Sequence, residues 1–176
     1  MDASWLSKKI SDGNELIREK LAGMISLIDD TVKTVRRIST ELRPGILDDL
    51  GLVDALDWQS SEFEKRTGIH CTFKTVSSDL TFEKNISTGI FRVYQETLTN
   101  VARHAEATEV KTFLEKRDGR IVLQVSDNGI GFDNSEVKTK NTLGLIGMKE
   151  RAKMFGGKIF IQSAVGKGTE VLLEIP

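Results

Sequence analysis

Glu96, Asn100 and His104 lie four residues apart, with Arg103 beside the last of them. On a helix that spacing lines them along one face. A divalent ion arriving on a nucleotide needs oxygen ligands, often only one of them from protein. An Asn side-chain carbonyl would serve, with a neighbouring Glu orienting metal-bound water. A solvated polar helix face is the plain alternative. Further on, Asp127-Asn128-Gly129-Ile130-Gly131-Phe132 follows an alternating apolar segment. Its carboxylate therefore stands at a strand end beside glycines that permit close approach. A buried carboxylate there would accept from the exocyclic amine of adenine and would disfavour guanine, which presents an acceptor at that position. The alternative is a simple turn. In Gly144-Leu145-Ile146-Gly147-Met148, glycine before a helix would let backbone N–H groups approach phosphate oxygens, with Lys149 or Arg151 adding charge. Gly166-Lys167-Gly168-Thr169 sets two glycines, a cation and a hydroxyl at a hairpin tip. It is no Walker loop, because glycine follows Lys167 where Ser or Thr is required. A dinucleotide fingerprint is excluded as well, since Asn134 stands where its third glycine belongs.

These groups need a scaffold, and the periodicity supplies one. A long amphipathic helix is expected over 82–105, with Ile86, Ile90, Val93, Thr97 and Val101 on its apolar face. A hairpin is expected at 110–115 and 120–125 around Asp118-Gly119, then a helix over 145–155, then a second hairpin at 158–164 and 170–175. Upstream, residues 46–67 read as a helix ending at Gly68, and 69–76 as a strand on which His70 and Cys71 face opposite sides. Leu21, Met24, Ile28, Thr31, Val35, Ile38 and Leu42 alternate spacings of three and four, a narrow seam that Pro44-Gly45 terminates. So narrow a stripe calls for a partner helix, by self-association or from an antiparallel neighbour. The expected fold is α+β, a two-layer sandwich of a mixed sheet covered by helices on one face, preceded by a long bundle-type helix. Residues 1–45 would form the helical region and 46–176 the sandwich.

Composition narrows the classes. The 176 residues carry 25 Lys and Arg against 26 Asp and Glu, so no global field favours nucleic acid or an anionic membrane. One cysteine and two histidines cannot form a disulfide framework and are too few for a structural zinc site, which fits a cytoplasmic location. No apolar run approaches the length of a membrane span, although a longer parent could be membrane-attached.

In order and spacing the four elements resemble the Bergerat-type ATP-binding domain shared by histidine kinases, a heat-shock chaperone, type II topoisomerases and mismatch-repair ATPases. Glu96–Ala105 is similar to that family's N box, Asp127–Gly131 to its adenine-reading box, and Gly144–Gly147 and Gly166–Thr169 to its later glycine boxes. Val35-Arg36-Arg37-Ile38-Ser39 and the stretch from Leu42-Arg43-Pro44 to Gly51-Leu52 resemble the second dimerization helix and connector of nitrate-sensor-like histidine kinases. The resemblance implies that Asp127 binds the adenine amine, Asn100 coordinates Mg²⁺, and Glu96 positions metal-bound water or assists proton transfer. It places Arg103 and His104 near the phosphates, and Gly129, Gly131, Gly144, Leu145, Gly147, Met148, Gly166, Lys167, Gly168 and Thr169 around ATP. Residues 132–143 would form a lid, and 21–42 a homodimer interface. The implied activity transfers the γ-phosphoryl group of ATP to a histidine and onward to the receiver domain of a response regulator. Residues 1–20 hold no histidine, so this chain, read as a fragment of a longer sensor, is expected to bind ATP without phosphorylating itself. An ATP hydrolase using Glu96 to activate water, and a non-catalytic module pairing through 21–42, are the competing readings.

Overall fold

The computed structural model describes residues 20–28, 31, 45–76, 82–133 and 143–176. The chain divides into two units, Met1–Gly45 and Ile46–Pro176. In the first, residues 20–28 are helical and leave Met24 and Ile28 largely exposed. The expected seam from Val35 to Leu42 lies outside the described residues, as does most of the expected lid.

The second unit runs α1 (Gly45–Thr67), β1 (His70–Thr75), α2 (Lys84–Asn100), a π-helical turn (Val101–Ala105), β2 (Glu109–Arg117), β3 (Arg120–Asp127), α3 (Leu143–Met154), β4 (Lys158–Ser163) and β5 (Thr169–Ile175). The sheet order is β1-β2-β3-β5-β4. β1 pairs parallel with β2 and every other pair is antiparallel, so the sheet is mixed, as expected.

Alternation decides which face is covered. Val110, Thr112 and Leu114 on β2 align with Val125 and Leu123 on β3, and these align with Val171 and Leu173 on β5. All are buried. Val110, Leu114, Leu123, Val125 and Leu173 meet Leu52, Ala55, Leu56 and Phe63 of α1, and Ile90, Phe91, Val93, Tyr94 and Leu98 of α2, in one core. The opposite face carries Lys111, Gln124, Glu170 and Gln162, as a solvated side should.

Two local departures from a plain helix matter for the site. α1 breaks at Gly51, whose φ of 79 and ψ of 177 no ordinary helix residue adopts, so the connector and the core-facing part of α1 are separate helical pieces. The expected helix over 82–105 is α-helical only to Asn100 and then widens into the π turn, which Glu106 ends with a left-handed φ of 51.

Within the core, Tyr94 joins three elements. Ser60 of α1 gives its proton to the carbonyl of Leu56 at 2.8 Å. The 2.6 Å contact between Ser60 Oγ and the Tyr94 hydroxyl must then be donated by the tyrosine. Thr112 of β2 donates to the same phenol oxygen at 3.2 Å.

Candidate functional site

Asp127 shares the parity of Ile121, Leu123 and Val125, so its side chain points to the helix-covered face at the very end of β3. There it is half-buried. Desolvation pushes its carboxyl above the ordinary aspartate value, opposed by backbone N–H groups of Gly129 and Thr169 that donate to it. The Gly129 bond measures 2.9 Å.

The loop after Asp127 is held from both sides. Asn128 accepts from the N–H groups of Thr108 and Glu109 at 2.9 and 3.0 Å, and Ile130 N–H donates to the Ala105 carbonyl at 2.8 Å. The acceptor belongs to the last residue of the π turn, so the end of α2 and the Asp127 loop form one connected piece. Gly166 N–H donates to the Ile130 carbonyl at 2.6 Å. Ser163 Oγ donates to the Gly168 carbonyl at 2.8 Å and accepts from Phe132 N–H at 2.9 Å.

Between these pieces lies a cleft of about 350 Å³. Of the residues expected at the site, Glu96, Asn100, Arg103, His104, Asp127, Gly131, Gly144, Leu145, Met148 and Thr169 line it. The π turn shifts the helical register after Asn100, yet Arg103 and His104 remain on the cleft side.

The other five expected residues do not line it. A β-carbon at Gly129 would run into the Ala105 carbonyl, and one at Gly168, whose φ is +72, into the carbonyl of Asp127. Gly166 and Lys167 form the hairpin turn, where Lys167 N–H donates to Ala164 at 2.9 Å. Gly147 leaves space for the Arg151 guanidinium, 3.0 Å from where a β-carbon would stand. Gly144 was expected ahead of the helix and Gly147 within it. Instead α3 already includes Leu143, so Gly144 lies in its described first turn and Gly147 one turn on. The side-chain space these two glycines leave is filled by Glu96 and Arg151.

Sequence reading did not single out Phe132, Ile161 and Val171 as site residues, although all three line the cleft. Ile161 and Val171 are cross-strand partners on the covered face. Strand alternation marks them as inward, but only the sheet order places them under the cleft.

Among the described residues no group of three or more His, Cys, Asp or Glu could hold a metal by itself, and no helix is long and apolar enough to cross a membrane. A cation for the cleft comes from Arg103, ring nitrogens from His104, and oxygen donors from Glu96 and Asn100.

Comparison with known proteins agrees with this geometry. The chain is 40% identical over 174 residues to the oxygen sensor histidine kinase NreB of Staphylococcus carnosus (strain TM300), which covers 97% of this chain and 49% of that protein. It is 33% identical over 194 residues to the signal transduction histidine-protein kinase/phosphatase DegS of Brevibacillus brevis, covering 97% of this chain and 50% of that one. The chain thus spans about half the length of these curated relatives. In fold it is similar to the histidine kinase domain of the Erythrobacter litoralis EL346 blue-light activated histidine kinase, with a TM-score of 0.65 at 17% identity over 99% of this chain and 90% of that one. Residues 85–176 match the family described as histidine kinase-, DNA gyrase B-, and HSP90-like ATPase. Because that match takes in more than half of the chain, with Glu96, Asn100, Asp127 and the three glycine-bearing segments inside it, the chain belongs to that ATPase family.

Proposed function

We propose that this chain is the ATP-binding catalytic core of a two-component sensor histidine kinase, in which the Ile46–Pro176 unit binds ATP and the Met1–Gly45 unit supplies a dimerization helix. One observation carries the reading: the half-buried carboxylate of Asp127 and the oxygen donors of Glu96 and Asn100 face a single cleft. The separation of tasks is chemical. Asp127 accepts from the adenine amine at one end, while apolar Ile161, Val171 and Met148 bound the space for the ring.

The metal fits this donor set. With no all-protein metal cluster among the described residues, an ion would arrive on the nucleotide and take one amide oxygen from Asn100, with Glu96 holding a metal-bound water. Bound Mg²⁺ would neutralise charge on the phosphates. Arg103 adds positive charge and His104 a ring nitrogen beside the phosphates, and the remaining contribution is positioning, since phosphoryl transfer asks little covalent chemistry of a protein.

The chain's two histidines have other places. His70 Nδ1 lies 3.3 Å from Glu64 on the edge strand, and His104 is part of the cleft wall. The acceptor histidine is therefore assigned to a segment outside this chain, and a response-regulator receiver domain to the following step. A homodimer through 21–42 and a cytoplasmic location for this unit complete the proposal.

Calorimetry of ATP binding with Mg²⁺, for the chain and for Asp127→Asn, tests it. Replacing a charged acceptor should weaken ATP by about 1–3 kcal/mol. A histidine-bearing helix fragment, added separately, should then become phosphorylated. If the folded chain binds no ATP, the catalytic reading fails.

A further inference from the structure

α2 and α3 pack side by side, with Thr97 Oγ1 3.7 Å from Met148 Sδ. A glycine permits close approach at each end. At Gly89 of α2 a β-carbon would run into the ring of Phe155. At Gly144 of α3 it would run into the carboxylate of Glu96, with Cδ at 3.1 Å and Cγ at 3.6 Å. The two glycines make room for different things. Phe155 is an apolar ring packed against the core, whereas Glu96 belongs to the cleft wall together with Gly144 itself. Gly144 is not among the glycines with positive φ, so its backbone would accept any residue. The space taken by Glu96 is what an alanine there would contest.

We propose that Gly144 is a positioning residue for Glu96: its missing side chain leaves a notch in α3 where the carboxylate rests, and so fixes how far that carboxylate reaches into the cleft. The inference rests on the reading of Glu96 as the group that holds metal-bound water. It gives Gly144 a task separate from approach to phosphate oxygens. The obstacle to a methyl group at 144 is the far end of a flexible side chain, which can swing aside, and alanine is a better helix former than glycine. Gly144→Ala should therefore keep the fold and displace one functional group. Glu96→Asp, shorter by one methylene, withdraws the carboxylate from the notch, so alanine at 144 should then matter little.

The test measures the Kd of ATP for the whole chain by calorimetry, once with Mg²⁺ and once in EDTA, and takes the ratio as the metal's contribution. Glu96→Gln should reduce that ratio. Gly144→Ala should reduce it by at least about fivefold, a difference near 1 kcal/mol, beyond any change it makes to the affinity in EDTA. Gly89→Ala, at the other end of the same contact, should leave the ratio unchanged even where it lowers stability. In the Glu96→Asp background, Gly144→Ala should change the ratio by less than about twofold, because the effects of residues in direct contact do not add.

If Glu96→Gln lowers the ratio and Gly144→Ala does not, the positioning role is overturned and the reading of Glu96 stands. An unchanged ratio in Glu96→Gln removes that reading and the inference with it. Equal losses from Gly89→Ala and Gly144→Ala, or additive losses in the double variant, would show helix spacing at work and also overturn the proposal.

Discussion

Replacing Tyr94 with Phe removes one oxygen from the middle of a chain of three buried hydroxyls, and the cost can be worked out bond by bond. Tyr94 is fully buried, and Ser60 and Thr112 are 2% and 3% exposed, so water cannot replace a lost partner. Burial pushes the phenol well above its ordinary range, and it acts as a neutral donor. Without the hydroxyl, Ser60 still donates to Leu56 and loses only an incoming bond, a net loss of about 1 kcal/mol. Thr112 fares worse. Its proton loses its acceptor inside the core, which costs about 1–3 kcal/mol. Tyr94→Phe should therefore destabilise the domain by about 2–4 kcal/mol. Thr112→Val removes the stranded donor, so in that background Tyr94→Phe should cost only about 1 kcal/mol. Urea unfolding of the four members of this cycle, at unchanged m-value, measures both quantities. A Tyr94→Phe cost below about 0.5 kcal/mol, or a strictly additive cycle, would refute the assigned direction of the bonds.

Other outcomes follow from the site and its surroundings. Gly168→Ala meets the Asp127 carbonyl and a φ of +72 together, so it should weaken ATP binding, measured by calorimetry. Gly166→Ala, at φ +75 but in open space, should cost only the backbone penalty of about 1–2 kcal/mol in stability and spare the cleft. The carboxyl of Glu64 is held below its ordinary value first by the N–H of Cys71 and then by His70. Its contribution to stability is thus present above the unfolded-state glutamate pKa and disappears as pH falls through the lower folded value. Thermal melts against pH should show that acid loss, and Glu64→Gln should flatten it. Asp127 is shifted the other way, so its protonation begins at higher pH than for an exposed aspartate. ATP affinity should fall in acid through a group that is absent from the same titration of Asp127→Asn.

Much of the architecture was legible because the sheet is covered on one face only. Alternation in β2, β3 and β5 gives each strand's inward residues directly, and the Asp118-Gly119 turn gives the first hairpin. The polar row on α2 was legible for a similar reason, since helical spacing needs no tertiary information. The π turn was not. Nothing in Val101-Ala102-Arg103-His104-Ala105 marks a widened helix, and the Ala105 carbonyl is held by Ile130, 25 residues further on. The start of α3 was missed because glycine reads as a helix boundary. Here Gly144 sits within the helix, where a larger residue would contest the position of Glu96. Ile161 and Val171 were visible as inward residues but not as cleft residues, a distinction that depends on β5 lying between β3 and β4.

That insertion of β5 also sets an order of events during synthesis. β4 emerges from the ribosome before β5, yet its hydrogen-bonded neighbour in the sheet is β5, and one edge of β3 waits for the same strand. Until Thr169–Ile175 arrives, a nascent chain carries one edge of β3 and the facing edge of β4 without their partner, the condition in which pairing with another chain competes with folding. Thr169 and Val171 travel on the late strand, so the cleft is completed by the same step that closes the sheet. A nucleotide that binds only the finished cleft would draw the population toward the closed sheet and shorten the time both edges stay open.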